Sequence, residues 1–146
     1  MLRELDERIG KGLAGYAGVY DVLFRLSLSL IFIIGGLGHF GRADDMLARM
    51  AESPWRDAIS SVGDPLLLLH LSGAVFVAAG FTLVAGWLTR LSALALFITL
   101  VPITITIHVA PGHVGPLLKN VAILGALTLI MVRGPGMYAL DNRSTR

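Results

Sequence analysis

Four long apolar segments dominate the chain. They run from about residue 20 to 39, 65 to 87, 91 to 110 and 116 to 132. A helix needs about 20 predominantly apolar residues to cross the hydrocarbon core of a bilayer. The fourth segment is short and carries Lys119 near its start, but a long lysine stem can extend to the interface. The pattern predicts an all-α membrane protein whose four transmembrane helices form one bundle.

The polar segments between these runs predict how the helices connect. Only Leu88, Thr89 and Arg90 separate the second and third segments, so these two must form an antiparallel hairpin. The longer connection at 40–64 mixes apolar residues with charges, which predicts a short interfacial helix. A solvated loop is the alternative.

The two ends of the chain are more polar than its middle. Residues 1–19 predict a short amphipathic helix followed by a glycine-rich joint, and residues 141–146 predict a C-terminal tail. The four-helix membrane domain then occupies residues 20–140. Acidic residues near the N-terminus do not suit a signal peptide, so we expect the first span to be an uncleaved anchor.

Composition strengthens the membrane interpretation. The chain of 146 residues is 55% hydrophobic and only 15% charged, whereas soluble domains carry about 25% charged residues. The chain has no cysteine, which excludes disulfides, thiolate catalysis and cysteine-ligated metal or iron–sulfur sites. The net charge is only +2 and basic residues form no run, so nucleic acid is not an expected partner.

Lysine and arginine residues predict the orientation. With four spans, both termini and the turn at 88–90 share one side of the membrane, and this side holds eight of the twelve basic residues. Cytoplasmic loops carry the excess of such residues. The distribution therefore predicts a multi-pass protein with cytoplasmic N- and C-termini.

All four histidines fall on the opposite, outer side. His39 ends the first span, and His108 lies near the outer end of the third. His70 lies five residues into the second span, about 7.5 Å deep at 1.5 Å per residue. His113 is in the outer loop that follows. Each span or its flank therefore contributes one imidazole to the same leaflet.

Helical spacing gives these histidines a face. Steps of three and four residues place one stripe on the first span, made of Arg25, Leu28, Phe32, Gly36 and His39. A second stripe joins His70 to the small residues of its helix. Small residues on a transmembrane stripe indicate close helix contact, so we expect His39 and His70 to face protein.

The start of the fourth segment adds polar groups to the same side. Pro116 suits the first helical position, and Lys119 and Asn120 follow in the first turn, where free backbone N–H groups make a positive dipole end. Such a rim suits the oxygen atoms of a lipid-soluble molecule such as a quinone. The candidate quinone head-group site comprises His39, His70, His108, His113, Lys119 and Asn120. No residue is assigned a catalytic role.

Other interpretations of these residues stay open. A histidine at an interface is often only amphipathic, and Asn120 can bond between helices at a gain of about 0.6 kcal/mol. Imidazole also ligates Zn, Cu or Fe, so His39, His70, His108 and His113 are metal candidates. A bis-histidine haem is a further alternative. Transport of a small solute is another, although the helix cores carry no acidic residue.

The chain also contains a weak internal repeat. "RLSLSLIFI" at Arg25 is similar to "RLSALALFI" at Arg90, and "DPLLLLHLSGA" at Asp64 is similar to "GPLLKNVAILGA" at Gly115. Two helix-hairpin repeats in parallel orientation would account for both pairs. Coincidence in a leucine-rich sequence is the alternative.

Four stretches carry a resemblance to a known family. They are "RLSLSLIFIIGGLGHF" (25–40), "GWLTRLSALAL" (86–96), "LLKNVAILGAL" (117–127) and "GPGMYALD" (134–141). With them the chain resembles the DoxX family of small four-helix membrane proteins. Family members often carry Lys where this chain has His39, and many carry an acidic residue midway along the second helix, where this chain has Val75, Phe76 and Val77. His70 is the candidate to replace that carboxylate.

The resemblance implies a bacterial or archaeal inner-membrane protein. Some relatives are membrane subunits of thiosulfate:quinone oxidoreductase, and many have no assigned activity. We therefore expect a quinone-associated redox membrane subunit that receives electrons from an oxidoreductase partner or from a bound cofactor. A non-catalytic scaffold is the alternative, with Trp55 and its neighbours in the outer loop docking another protein. Whether the chain itself turns over substrate, and whether it forms a homo-oligomer, stays open.

Overall fold

A computed structural model describes residues 1–109 and 114–143, and within these ranges the chain is helical with no strand. Two short turns complete the helices, a π-helical turn at Thr104–His108 and a 3₁₀ turn at Leu140–Asn142. The helices are α1 (Leu2–Ala14), α2 (Ala17–Gly41), α3 (Ala43–Glu52), α4 (Arg56–Val62), α5 (Pro65–Ala85), α6 (Thr89–Ile103) and α7 (Val114–Arg133).

Four helices are long and apolar enough to cross a membrane, which confirms the predicted fold class. They are Ala17–Gly41, Pro65–Ala85, Thr89–His108 and Val114–Arg133. The third combines α6 with the π-helical turn. The helices alternate in direction, so α2 ends at the same end of the bundle at which α5 and α7 begin. We call this the histidine end, and we call the other the terminal end.

The bundle is built from successive neighbours. α2 packs on α5, α5 on α6, and α6 on α7. Phe32, Leu83, Leu96 and Leu127 are among its most deeply buried side chains. The predicted stripe on the first span is confirmed, since all five of its residues, from Arg25 to His39, are buried.

Glycines bring α2 and α5 unusually close together. A Cβ added to Gly36 would lie 2.8 Å from the carbonyl oxygen of Gly73. A Cβ added to Gly73 would lie 2.8 Å from the Cβ of His39. Neither space admits a methyl group, and such small-residue contacts let helix backbones approach within a membrane. This close approach fixes the position of His39 against α5.

The connection between α2 and α5 contains two short helices, where the sequence predicted one. Helix α3 ends at Glu52, and Ser53, which precedes Pro54, is extended. The residue before proline is disfavoured in a helical conformation. The Ser53 hydroxyl donates a hydrogen bond to the backbone oxygen of Thr106. This hydrogen bond at the junction of α3 and α4 holds the two helices against the π-helical turn that follows α6.

Pro102 changes the last turn of the third span. Its missing N–H removes one helical hydrogen bond, and the helix continues as the π-helical turn Thr104–His108. The Thr104 hydroxyl donates to the Leu100 oxygen at 2.7 Å, and the Thr106 hydroxyl donates to the Pro102 oxygen at 2.8 Å. Single π-turns of this kind occur often at functional sites.

The segment after α7 folds across the terminal end. The Asp141 carboxylate accepts hydrogen bonds from the backbone N–H groups of Leu88 at 2.7 Å and Thr89 at 2.9 Å, where α6 begins. Arg25, only 3% exposed, donates to the Pro135 oxygen. Burial raises the pKa of Asp141, but the hydrogen bonds from Thr89 and Leu88 and the charge of Arg25 outweigh this and lower it. The predicted C-terminal tail begins at Asp141, and these hydrogen bonds hold that residue against the start of α6.

Candidate functional site

A cavity of about 480 Å³ opens at the histidine end of the bundle. Its walls come from α2 and α5 on one side, from α6 and the π-helical turn on another, and from α3 and α4 on a third. Most of the lining side chains are apolar, including Met46, Met50 and Ile59. The polar lining residues are His39, Arg49, Ser72, Thr99, Thr106 and His108.

His39 is held on one edge of its ring by α5. Its Nδ1 lies 2.9 Å from the Ser72 hydroxyl oxygen and 3.2 Å from the Leu69 carbonyl oxygen. The Ser72 hydroxyl also lies 2.8 Å from that carbonyl oxygen, to which it donates. The ring is tilted against Phe76 at a centroid distance of 5.5 Å. His39 is 9% exposed, so its orientation is fixed by packing as well as by hydrogen bonds.

His108 reaches the same cavity from another helix. It is the last residue of the π-helical turn and is half-buried. Thr106 lines the cavity from the same turn, and Thr99 does so from α6. The structure therefore brings together two of the predicted site residues, His39 and His108, across one apolar space.

Three of the other predicted site residues lie elsewhere in the described part of the chain. His70 stacks on Phe40, with ring centroids 5.2 Å apart and ring planes 21° apart, and it stands outside the cavity. Asn120 is buried and donates to the Thr104 hydroxyl at 3.0 Å, so it joins α7 to the π-helical turn. Lys119 is exposed. His113 lies outside the described residues.

Metal ligation was an alternative for the histidines. Within residues 1–109 and 114–143, no group of three or more histidine, aspartate or glutamate side chains is arranged to hold a metal ion. Among the described residues, His39 and His108 are the two histidines that line the same cavity.

Sequence reasoning missed several residues of this cavity. Ser72 and the Leu69 carbonyl were missed because their role depends on how closely α5 packs on α2. Met46, Met50 and Ile59 were missed because α3 and α4 are too short for their periodicity to identify a buried face. A weak signal exists in Met46 and Met50, which lie four residues apart and so share one side of a helix.

Comparison with known proteins identifies similar sequences. A sequence model described as DoxX matches residues 20–109. The inner membrane protein YphA of Escherichia coli (strain K12) is 34% identical over 132 residues, which cover 84% of this chain and 88% of that protein. No solved structure matches.

Proposed function

This chain belongs to the DoxX family, and from that premise we propose that it is the membrane subunit of a quinone-linked oxidoreductase. The cavity at the histidine end then holds the quinone head group, with His39 and His108 as its polar contacts. The single observation that carries the proposal is the convergence of these two histidines on one largely apolar cavity.

The cavity has the composition that a quinone requires. Sites for small molecules are concave, largely apolar, about 300–1,000 Å³ in volume, and carry few polar groups that fix orientation. The cavity of about 480 Å³ meets this description. Its methionine and isoleucine wall suits a flat ring and an isoprenoid tail. Methionine in particular adapts to the shape of an apolar ligand.

The histidines supply proton exchange. Reduction of a quinone to a quinol takes up two electrons and two protons. Imidazole exchanges protons near neutral pH because its unperturbed pKa is about 6.5. The chain has no cysteine to ligate an iron–sulfur cluster, so we assign the electrons to a partner oxidoreductase. The subunit's own part is to bind the ring, orient it and pass protons.

The proposal includes a location. The similar protein YphA is named an inner membrane protein, and we place this chain in the same membrane. We also propose that both termini are cytoplasmic, and the excess of lysine and arginine at the terminal end supports this. The cavity then faces the outer side of that membrane.

Titration of a short-chain ubiquinone or menaquinone into the purified protein tests the proposal. The intact protein should bind the quinone saturably, and the double variant His39→Ala plus His108→Ala should lose at least tenfold in affinity. His70→Ala is the matched control because His70 stands outside the cavity, and it should bind as the intact protein does. Equal affinity in the double variant and the control would remove the proposal.

A protein-docking role is the second candidate, and one observation favours it. Trp55, at the start of α4, is 43% exposed and is followed by the exposed ion pair of Arg56 and Asp57. Exposed tryptophan is enriched in binding hot spots. If docking is the whole function, a partner that co-purifies with the intact protein will be lost with Trp55→Ala and will survive His39→Ala plus His108→Ala.

A further inference from the structure

We infer that the cavity recognises a hydrogen-bond donor, and therefore prefers the hydroxyl-bearing reduced form of its ligand, a quinol or similar phenol, over the quinone. This inference deepens the proposed function and rests on it. The observations that carry it are the hydrogen bonds made by the polar groups of the cavity wall.

The bonds of His39 fix which ring nitrogen carries the proton. A carbonyl oxygen can only accept, so the contact between Nδ1 and the Leu69 oxygen requires the proton to be on Nδ1. The Ser72 hydroxyl donates to the same carbonyl and accepts from Nδ1. In the neutral imidazole the other nitrogen is then an acceptor. Because His39 lines the cavity and Nδ1 is bonded to α5, Nε2 is the nitrogen left for a ligand, and it offers a lone pair.

The hydroxyl groups of the cavity wall also present hydrogen-bond acceptors. The Thr99 hydroxyl donates to the Ala95 oxygen at 2.8 Å, and the Thr106 hydroxyl donates to the Pro102 oxygen. The Ser72 hydroxyl is committed to Leu69. Each hydroxyl has one proton and two lone pairs, so while these bonds are kept the three oxygens offer lone pairs to a ligand.

One donor of the site, Arg49, lies at its edge. Arg49 is exposed on α3 and lines the cavity, and its guanidinium only donates. A ligand ring with a hydroxyl toward His39 and an oxygen toward Arg49 would donate to the acceptor and accept from the guanidinium. A quinone, whose two oxygens only accept, would set an acceptor against Nε2 of His39 and leave that lone pair without a donor.

A pair of redox-inactive probes separates these cases. A 2-alkyl-1-naphthol and its methyl ether differ by one hydrogen-bond donor, and neither is a quinone. We expect the intact protein to bind the naphthol about tenfold more tightly than the ether, in line with a buried acceptor left unpaired. In His39→Phe this ratio should fall toward one.

Ser72 is tested as a positioning residue. Ser72→Ala should reduce the naphthol-to-ether ratio because it removes the closer of the two groups that hold Nδ1, and Ser72→Thr, which keeps the hydroxyl, should restore it. A loss of packing alone would weaken both probes equally and leave the ratio unchanged. His70→Ala is the control and should keep the ratio of the intact protein.

The failures of the two proposals can be told apart. If the ether binds as tightly as the naphthol while both compete with a quinone, the inference about donors is wrong and the quinone site stands. If neither probe competes with a quinone and neither responds to His39→Phe, the proposed function itself is wrong.

A second proposal concerns α1 and is independent of the cavity. We propose that α1 lies along the membrane surface with its apolar stripe in the boundary between head groups and acyl chains. Leu2, Leu5, Ile9 and Leu13 recur at helical spacing and are 78%, 55%, 53% and 48% exposed. Every residue of α1 is exposed, so the stripe is not covered by the bundle.

The position and charge of α1 favour lipid as the occupant. Only Gly15 and Tyr16 separate α1 from the membrane-length helix α2, which holds the stripe beside the bilayer. The exposed residues Tyr16, Val19 and Tyr20 continue its apolar surface toward the span. The three basic and three acidic residues of α1 balance, so apolar burial rather than charge should drive binding.

Depth measurement in the full chain tests this proposal. The chain has no native cysteine, so a nitroxide can be attached at Ile9→Cys or, on the polar face, at Glu7→Cys. In phosphatidylcholine vesicles the label at position 9 should be accessible to oxygen and shielded from an aqueous nickel chelate, and the label at position 7 should show the reverse. Added phosphatidylglycerol should not change the pattern. Equal exposure of both labels to nickel would show a solvated arm and overturn the proposal.

Discussion

Gly36 of α2 faces Gly73 of α5 so closely that a Cβ on Gly73 would lie 2.9 Å from the carbonyl oxygen of Gly36. The contact brings the backbones of the two helices together just below the cavity. A Cβ on Gly73 would also lie 2.8 Å from the Cβ of His39. The close approach of the two helices therefore also sets how the imidazole meets Leu69 and Ser72. The packing of two helices thus determines the geometry of the candidate site.

Gly36→Ala should destabilise the protein by about 1–3 kcal/mol, the usual cost of forcing an extra methyl group into a filled space. The new Cβ would lie 2.8 Å from the Gly73 oxygen and 2.8 Å from the Cβ of Phe76, neither of which can move without shifting a helix. Thermal unfolding in detergent measures the change.

Gly35→Ala is the matched control for this prediction. It is the neighbouring residue of the same helix, and a Cβ there meets nothing within 4 Å. Alanine favours a helix over glycine by about 0.5–1 kcal/mol, so this variant should be neutral or more stable. Similar melting temperatures for the two variants would contradict the close contact.

Asp141→Ala should cost about 1 kcal/mol, similar to the loss of a helix cap. The carboxylate accepts from the first N–H groups of α6 and ties the C-terminal segment to the turn between α5 and α6. The exposed Asp57 offers a control, since Asp57→Ala removes only a surface ion pair with Arg56.

The contribution of Asp141 should depend on pH in a defined direction. Its pKa is lower in the folded protein than in the unfolded chain, where a free aspartate titrates near about 3.9. The stabilisation is therefore fully present above that value and is lost as the pH falls through the folded pKa. The difference in melting temperature between the intact protein and Asp141→Ala should be constant from pH 8 to 5 and should shrink below about pH 4. A difference that grows on acidification would refute this.

The orientation can be tested with single cysteines, because the chain has none of its own. Glu52 is exposed at the end of α3, at the histidine end, and Arg143 is exposed at the terminal end. The two test variants are Glu52→Cys and Arg143→Cys. A membrane-impermeant maleimide should label position 52 in intact spheroplasts and label position 143 only after permeabilisation. The reverse pattern would place the cavity on the cytoplasmic side.

Much of the bundle could be predicted from the sequence. The stripe from Arg25 to His39 was predicted to be buried because apolar and small residues recur at steps of three and four, and α2 buries it. The lengths of the apolar runs predicted four spans, since each must cover the same thickness of hydrocarbon. Both features depend on residues that are close in sequence, so the pattern of apolar residues predicts them.

The cavity could not be predicted in the same way. His39 and His108 were placed on the same side by topology, but the cavity that they share also takes part of its wall from α3 and α4. The position of these two helices includes a hydrogen bond between Ser53 and Thr106, which are 53 residues apart. The burial of Arg25 was recognised as part of a stripe, but its bond to Pro135 requires the C-terminal segment to fold back over 110 residues of sequence. Such contacts leave no periodic signal.

Photolabelling with an aryl-azide quinone is the most direct test of whether the cavity at the histidine end binds a quinone, because it locates the head group. The probe is photolysed with the protein in nanodiscs, and the adducts are mapped by mass spectrometry. Adducts should fall on the cavity wall in α3, α4 and residues 99–108, and an excess of unlabelled quinone should suppress them. Adducts on exposed residues away from the cavity, such as Phe81 or Trp87, that unlabelled quinone does not suppress would contradict a quinone site in this cavity.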